Sequence, residues 1–137
     1  MERIGDMKNE IVEYLIVNKD LNMSIGKTCA QVAHAQTLID GLIKHYADHH
    51  NNPKLPPAPT DWIKQLEWYE QWLMDSSQKK IILRAKESKM LKAIEIGAVE
   101  VKDNCLTEIP ANSLTVVGFM PQPKENLQEF TKRLQLL

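Results

Sequence analysis

The sequence predicts one α/β domain over residues 1–137: a four-stranded mixed sheet with helices on both faces, in the order β-α-α-β-α-β-β-α. Two observations carry this. Short apolar runs rich in β-branched residues alternate with longer stretches whose apolar residues recur every three or four positions, the periods of strand and amphipathic helix. At 137 residues, 43% hydrophobic and 26% charged, the chain can bury one core without disulfide or metal staples.

The elements follow in order. Residues 1–9 read as a polar lead-in, and IVEYLIVN, 11–18, is short and β-branched, which favours a strand. From Ser24 onward Ile25, Cys29, Val32, Ala35, Ile39, Leu42 and Tyr46 keep a helical period. Ser24 is placed to cap that helix with its hydroxyl. HHNNPKLPPAPT, 49–60, ends it, because proline lacks the N–H donor and fixes φ; a proline-rich loop is expected over 48–60. Thr60 or Asp61 caps a second helix reaching about Met74, with Trp62, Leu66, Tyr69 and Leu73 on one face and Trp68 and Trp72 on a neighbouring one. KKIILRA, 79–85, reads as a buried strand, and ESKMLKAIEIGA as a short helix with Gly97 suited to a left-handed turn past its end. Strands Val99–Lys102 and Ser113–Phe119 are linked too briefly for a crossover helix, which predicts an antiparallel pair. A last helix from near Pro123 buries Leu127, Phe130 and Leu134. Largely parallel connections are expected elsewhere.

A formal net charge of −1 and a pI near 6.4 provide no global positive field for a nucleic-acid duplex. A local basic patch is still compatible with that balance. Lys79, Lys80, Arg84, Lys86, Lys89 and Lys92 cluster in one third of the chain and read as a solvated helix face and strand edge. Cys29 and Cys105 form no CxxC and read as buried small hydrophobes. No apolar run can span a bilayer and MERIGDMKNE lacks a signal-peptide core, so no membrane partner and a cytoplasmic location are expected.

Several motifs dissolve on inspection. SIGKT lies between a strand and a helix like a P-loop, yet the full pattern needs glycine where Leu21 stands. His45, His49 and His50 lack a carboxylate or cysteine at metal-binding spacing and read as solvent-exposed; no metal is expected. Trp62, Trp68 and Trp72, at helical spacing, read as core or subunit contact rather than as base-stacking platforms.

Lys27 and Asp103 remain. Lys27 opens a helix, where backbone N–H groups and the helix dipole already attract anions, so a lysine there suggests a site built for negative charge. Both residues follow the end of a strand, and in open α/β sheets ligands gather beyond the carboxyl ends of strands. The two are therefore expected to converge, with Thr107 on the loop between the last two strands.

The segments around them resemble the archaeal/eukaryotic-type peptidyl-tRNA hydrolases, the second class. In the family's first motif, D-x-x-M-G-K-G-K-x-A-A-Q-x-x-H-A, this chain matches with Asp20, Met23, Gly26, Lys27, Ala30, Gln31, His34 and Ala35. In the second, D-A-G-x-T-Q-x-x-x-G-S-x-T-V-L-x-x-G-P, it matches with Asp103, Thr107, Ser113, Thr115, Val116 and Pro121. The resemblance spans about 11–137 apart from the proline-rich loop, which looks like an insertion. Ser24 and Ile25 replace the family's first glycine and lysine, Leu106 its arginine, Glu108 its glutamine, Asn104 and Cys105 its alanine and glycine, and Asn112 its later glycine. Two positive groups are lost and one negative group is gained.

The resemblance implies hydrolysis of the ester joining a peptide to the 3′ end of tRNA, with the acceptor end of peptidyl-tRNA as partner and no cofactor. It assigns Lys27, Asp103 and Thr107 to catalysis and leads us to place Thr115, Gln31, His34, Ser24 and Gly26 around the substrate. Members of the family commonly pair, so a homodimer is expected, with the Trp68 and Trp72 face as its surface. The alternatives are a non-catalytic RNA- or partner-binding protein on the same fold, favoured by Ser24, Ile25, Leu106 and Glu108, and a small-molecule esterase or amidase.

Overall fold

A computed structural model describes residues 10–48, 53–104 and 108–137. Among them β1 (Ile11–Asn18) leads through a 3-10 turn (Lys19–Leu21) into the long helix α1 (Ile25–Ala47). Then come α2 (Trp62–Met74), β2 (Lys80–Ala85), α3 (Glu87–Glu95), β3 (Val99–Asp103) and β4 (Ser113–Gly118). The chain closes with β5 (Gln122–Pro123), a 3-10 turn (Lys124–Leu127), α4 (Gln128–Thr131) and β6 (Gln135–Leu136).

The sheet has six strands, not the expected four. Its order is β3-β4-β1-β2-β6, with β5 also pairing with β1. The two additional strands are two residues each, too short to show any alternation, and one contains Pro123. Forming β6 also shortens the last helix: after α4 the chain turns back and Leu136 pairs with Leu83. Largely parallel connections do not hold either, since β1–β2 is parallel and the other pairings are antiparallel. The β3–β4 pair is antiparallel, as the short link requires.

β1 sits centrally, and all eight of its residues are buried. Its alternating side chains feed two cores. Val12, Tyr14 and Ile16 pack with Met90 and Ala93 of α3 and with Leu127; Leu15 and Val17 pack with Ala35, Ile39 and Ile43 of α1. Helices therefore cover both faces. Gly118 of β4 lets α1 approach closely, because a Cβ there would lie 2.7 Å from Leu15 Cδ2 and 2.9 Å from Ile39 Cδ1.

Strand direction explains the site. β4 runs against β1 and against β3, so β1 and β3 run the same way. The carboxyl ends of β1 and β3 and the amino end of β4 therefore share one edge of the sheet.

Several expectations change with burial. Trp72 is 2% exposed and donates its indole N–H to the Lys79 carbonyl at 2.8 Å, so it is core rather than an open dimer face. His45 is buried, not solvent-exposed, because the α1 face carrying Tyr46 turns inward there; His49 and His50 lie outside the described residues. Cys29 is exposed rather than buried, and Cys105 also lies outside the described residues. β2 is half-exposed along its length, since only the short β6 flanks it outwardly.

Candidate active site

The site begins with how α1 starts. Asn22 takes the left-handed conformation that asparagine tolerates, and turns the chain out of the 3-10 segment. Ser24 follows in extended conformation as N-cap, its hydroxyl accepting from the Lys27 N–H at 3.2 Å. Lys27 is thus the third residue of the helix. At i+4 and i+8 from it, Gln31 and Ala35 are buried against the sheet, so Lys27 heads a sheet-facing row and reaches over the sheet's edge.

Asp103, the last residue of β3, meets it there. Lys27 Nζ lies 2.5 Å from Asp103 Oδ2, with the side chains 12% and 4% exposed. The two ends of the chain converge as the strand directions require, and the ammonium is the more accessible partner. The Asp103 carbonyl accepts from the Asn112 N–H at 2.5 Å, which closes the loop between β3 and β4. Asn112 has a φ of 65°, a conformation asparagine adopts more readily than most non-glycine residues.

Beneath the ion pair is a layer that the sequence did not resolve. Val101 pairs with Val116 and Lys102 with Leu114, which leaves Thr115 as the extra residue of a β-bulge. The bulge turns Thr115 toward α1, where its hydroxyl lies 2.6 Å from Gln31 Oε1 and 3.2 Å from the Val101 carbonyl. Both side chains are buried. Thr115 and Gln31 are therefore in place to brace the row that carries Lys27 against the strand that carries Asp103.

The remaining candidates separate. Gly26 is exposed in the first turn, with open space where a Cβ would stand. His34 is exposed on α1 and makes no part of the buried layer. Thr107 lies outside the described residues. Asp20 of the first motif stands apart from the ion pair: its carboxylate accepts from the Glu87 N–H at 3.0 Å, at the start of α3.

One residue was missed, and a second, already marked as a departure from the family pattern, has a partner that the sequence did not show. Asn18, buried at the end of β1, donates to Glu87 Oε1 at 2.9 Å and to the Leu114 carbonyl at 2.8 Å, tying α3 and β4 to the edge that carries the site. An asparagine closing a strand rich in β-branched residues was the available signal. Glu108, exposed on the loop before β4, accepts from the Ser24 N–H at 2.6 Å and from its hydroxyl at 2.8 Å. Those two bonds, backbone first, together with the charge of Lys27, hold its carboxyl below the ordinary range.

An ammonium and a carboxylate in contact at a helix start can polarise and deprotonate a water and stabilise a developing oxyanion, the requirements of acyl transfer to water. Among the described residues no group of histidine, cysteine and carboxylate side chains could hold a metal. No described helix is long and apolar enough to cross a membrane.

The chain is also similar to known proteins over nearly its whole length. The family model described as peptidyl-tRNA hydrolase PTH2 matches residues 11–137. A peptidyl-tRNA hydrolase of Staphylothermus marinus is 31% identical over 135 residues, covering 93% of this chain and 96% of that protein. One from Sulfolobus acidocaldarius is 31% identical over 131 residues, 90% of this chain and 97% of the relative. Peptidyl-tRNA hydrolase 2 of Saccharomyces cerevisiae is 30% identical over 140 residues, 97% of this chain and 61% of the yeast protein.

Proposed function

We infer that this chain, which belongs to the peptidyl-tRNA hydrolase PTH2 family, cleaves the ester between peptide and tRNA in peptidyl-tRNA, releasing free tRNA and peptide. Relatives bearing that name over nearly the whole chain favour this reading over a non-catalytic binder or a small-molecule esterase.

The observation that carries the mechanism is the contact of Lys27 with Asp103. Asp103 accepts a proton from a water, whose oxygen then attacks the ester carbonyl carbon. As the carboxylate is neutralised, the charge of Lys27 is released to the oxyanion forming on the former carbonyl oxygen. Collapse of that intermediate breaks the bond to the ribose oxygen, which takes the proton back from Asp103. The electrostatics change at the moment the reaction needs them, so an aspartate suffices as base for an ester. The hydroxyl of Thr107 is a relay for the water on the strength of the motif resemblance. Thr115 and Gln31 hold the geometry, while the exposed Gly26, Ser24 and His34 lie along the approach of the acceptor end. No cofactor enters this scheme.

The test is hydrolysis of one labelled peptidyl-tRNA by the wild type, Lys27→Ala and Asp103→Ala. Either substitution is expected to lower kcat by at least about a hundredfold. Near-normal turnover by both variants would remove the assignment.

We extend the reading to a homodimer in the cytoplasm. Its support is the resemblance, whose members commonly pair; exposed Ile63 and Met74 on α2 offer apolar surface now that Trp72 is accounted for in the core. Light scattering is expected to return twice the mass of one chain, and a single-chain mass would refute the dimer. Cell fractionation tests the location.

A further inference from the structure

We propose that Glu108 sets the affinity of the site: a carboxylate borne by the chain itself, placed beside Lys27, that weakens the site's hold on the phosphates of an anionic substrate. The proposal rests on the functional reading above and deepens it.

The geometry is specific. Both Glu108 oxygens are engaged by one residue, the Ser24 N–H at 2.6 Å and its hydroxyl at 2.8 Å. Ser24 in turn caps the helix by accepting from the Lys27 N–H. The carboxylate is thus fixed against the first turn of α1 and lies close enough to feel the Lys27 charge. Counted together, Lys27 contributes +1 and Asp103 and Glu108 −1 each, so the cluster carries −1 toward its ligand. Without Glu108 it would be neutral. The donors that Glu108 occupies are also withheld from any incoming phosphate. A polyanionic acceptor end meets a repulsive charge and an already filled pair of donors, while the reacting carbonyl is neutral. The effect therefore falls on binding rather than on the chemical step.

Glu108→Gln keeps shape and one hydrogen bond to Ser24 while removing the charge. Measured on peptidyl-tRNA at about 0.05 M salt, KM is expected to fall about threefold, with kcat within about a factor of two. The inhibition constant of deacylated tRNA should fall in the same proportion. Both differences should shrink toward unity near 1 M salt, where charges a few ångströms apart are largely screened. A merely structural latch would lower kcat and show no such salt dependence, and that result, or an unchanged KM and inhibition constant at low salt, would overturn the proposal. If the wild type itself fails to hydrolyse peptidyl-tRNA, the functional reading falls; if it is active and Glu108→Gln matches it, the role of Glu108 falls alone.

Discussion

Lys27 and Asp103 are each largely withdrawn from solvent, where a charge is tolerated only beside its opposite. That makes the pair a stability liability when broken, separately from its chemistry. Asp103→Asn, which strands the ammonium, is expected to cost about 3 kcal/mol in urea unfolding. Adding Lys27→Met removes the stranded charge and should restore much of that loss while leaving turnover abolished. A double variant as unstable as the sum of the singles would show that the two charges are not coupled. The departures from the family pattern also act at this scale. Asn112 fills a left-handed position without being glycine, and Glu108 introduces a carboxylate whose partner, Ser24, is itself a departure. The two substitutions meet in space, although 84 residues separate them.

At the scale of the element, β1 holds an exception to its own logic. A strand buried on both faces should be apolar throughout, yet Glu13 is fully buried in it, facing the α1 side as Leu15 does. Burial pushes its carboxyl up to about 7 from 4.5; Gln36 and Lys80 pull weakly the other way and Asp40 adds to the rise. Between those values the folded protein holds a proton that the unfolded chain has released. The stabilising contribution is complete below pH 4.5 and disappears as pH rises through about 7. Unfolding free energy is expected to fall by about 3 kcal/mol across that window, and Glu13→Gln should flatten the slope. An unaltered pH profile in the variant would assign the slope to other groups. The same element illustrates how α1 is seated: with Gly118 admitting the Ile39 side chain, the helix start lies at a set height above the strand ends.

Across the whole molecule, a net charge of −1 leaves no broad field to capture tRNA, so phosphate contacts are expected to be few and local. Affinity for deacylated tRNA is expected to weaken as salt rises, with a log–log slope of magnitude below about 4. A slope like that of an extended duplex binder would point to a second basic surface, and a salt-independent affinity would argue against a tRNA ligand. The cluster from Lys79 to Lys92 does not act as one patch: Lys79 pairs with Glu10 at 3.1 Å, Lys80 lies over the Trp72 ring and Lys89 over the Phe130 ring. Three of its six charges are engaged in contacts of this kind.

Local pattern was enough to read β1, α1, α2 and the β3–β4 pair, because each is long enough for its period to show and is bounded by a cap, a proline run or a turn residue. It was also enough to single out Lys27 and Asp103, since one opens a helix that follows a strand and the other ends a strand, both within recognisable motifs. What lay beyond it were features whose energy is non-local. Two-residue strands exist because neighbouring strands offer free edges, and Thr115 faces Gln31 because a bulge shifts the register by one. The amino-acid sequence determined which groups the candidate site could offer. Tertiary structure alone decided that β1 and β3 run in the same direction, and so brought an ammonium and a carboxylate from distant parts of the chain into contact with Glu108 standing beside them.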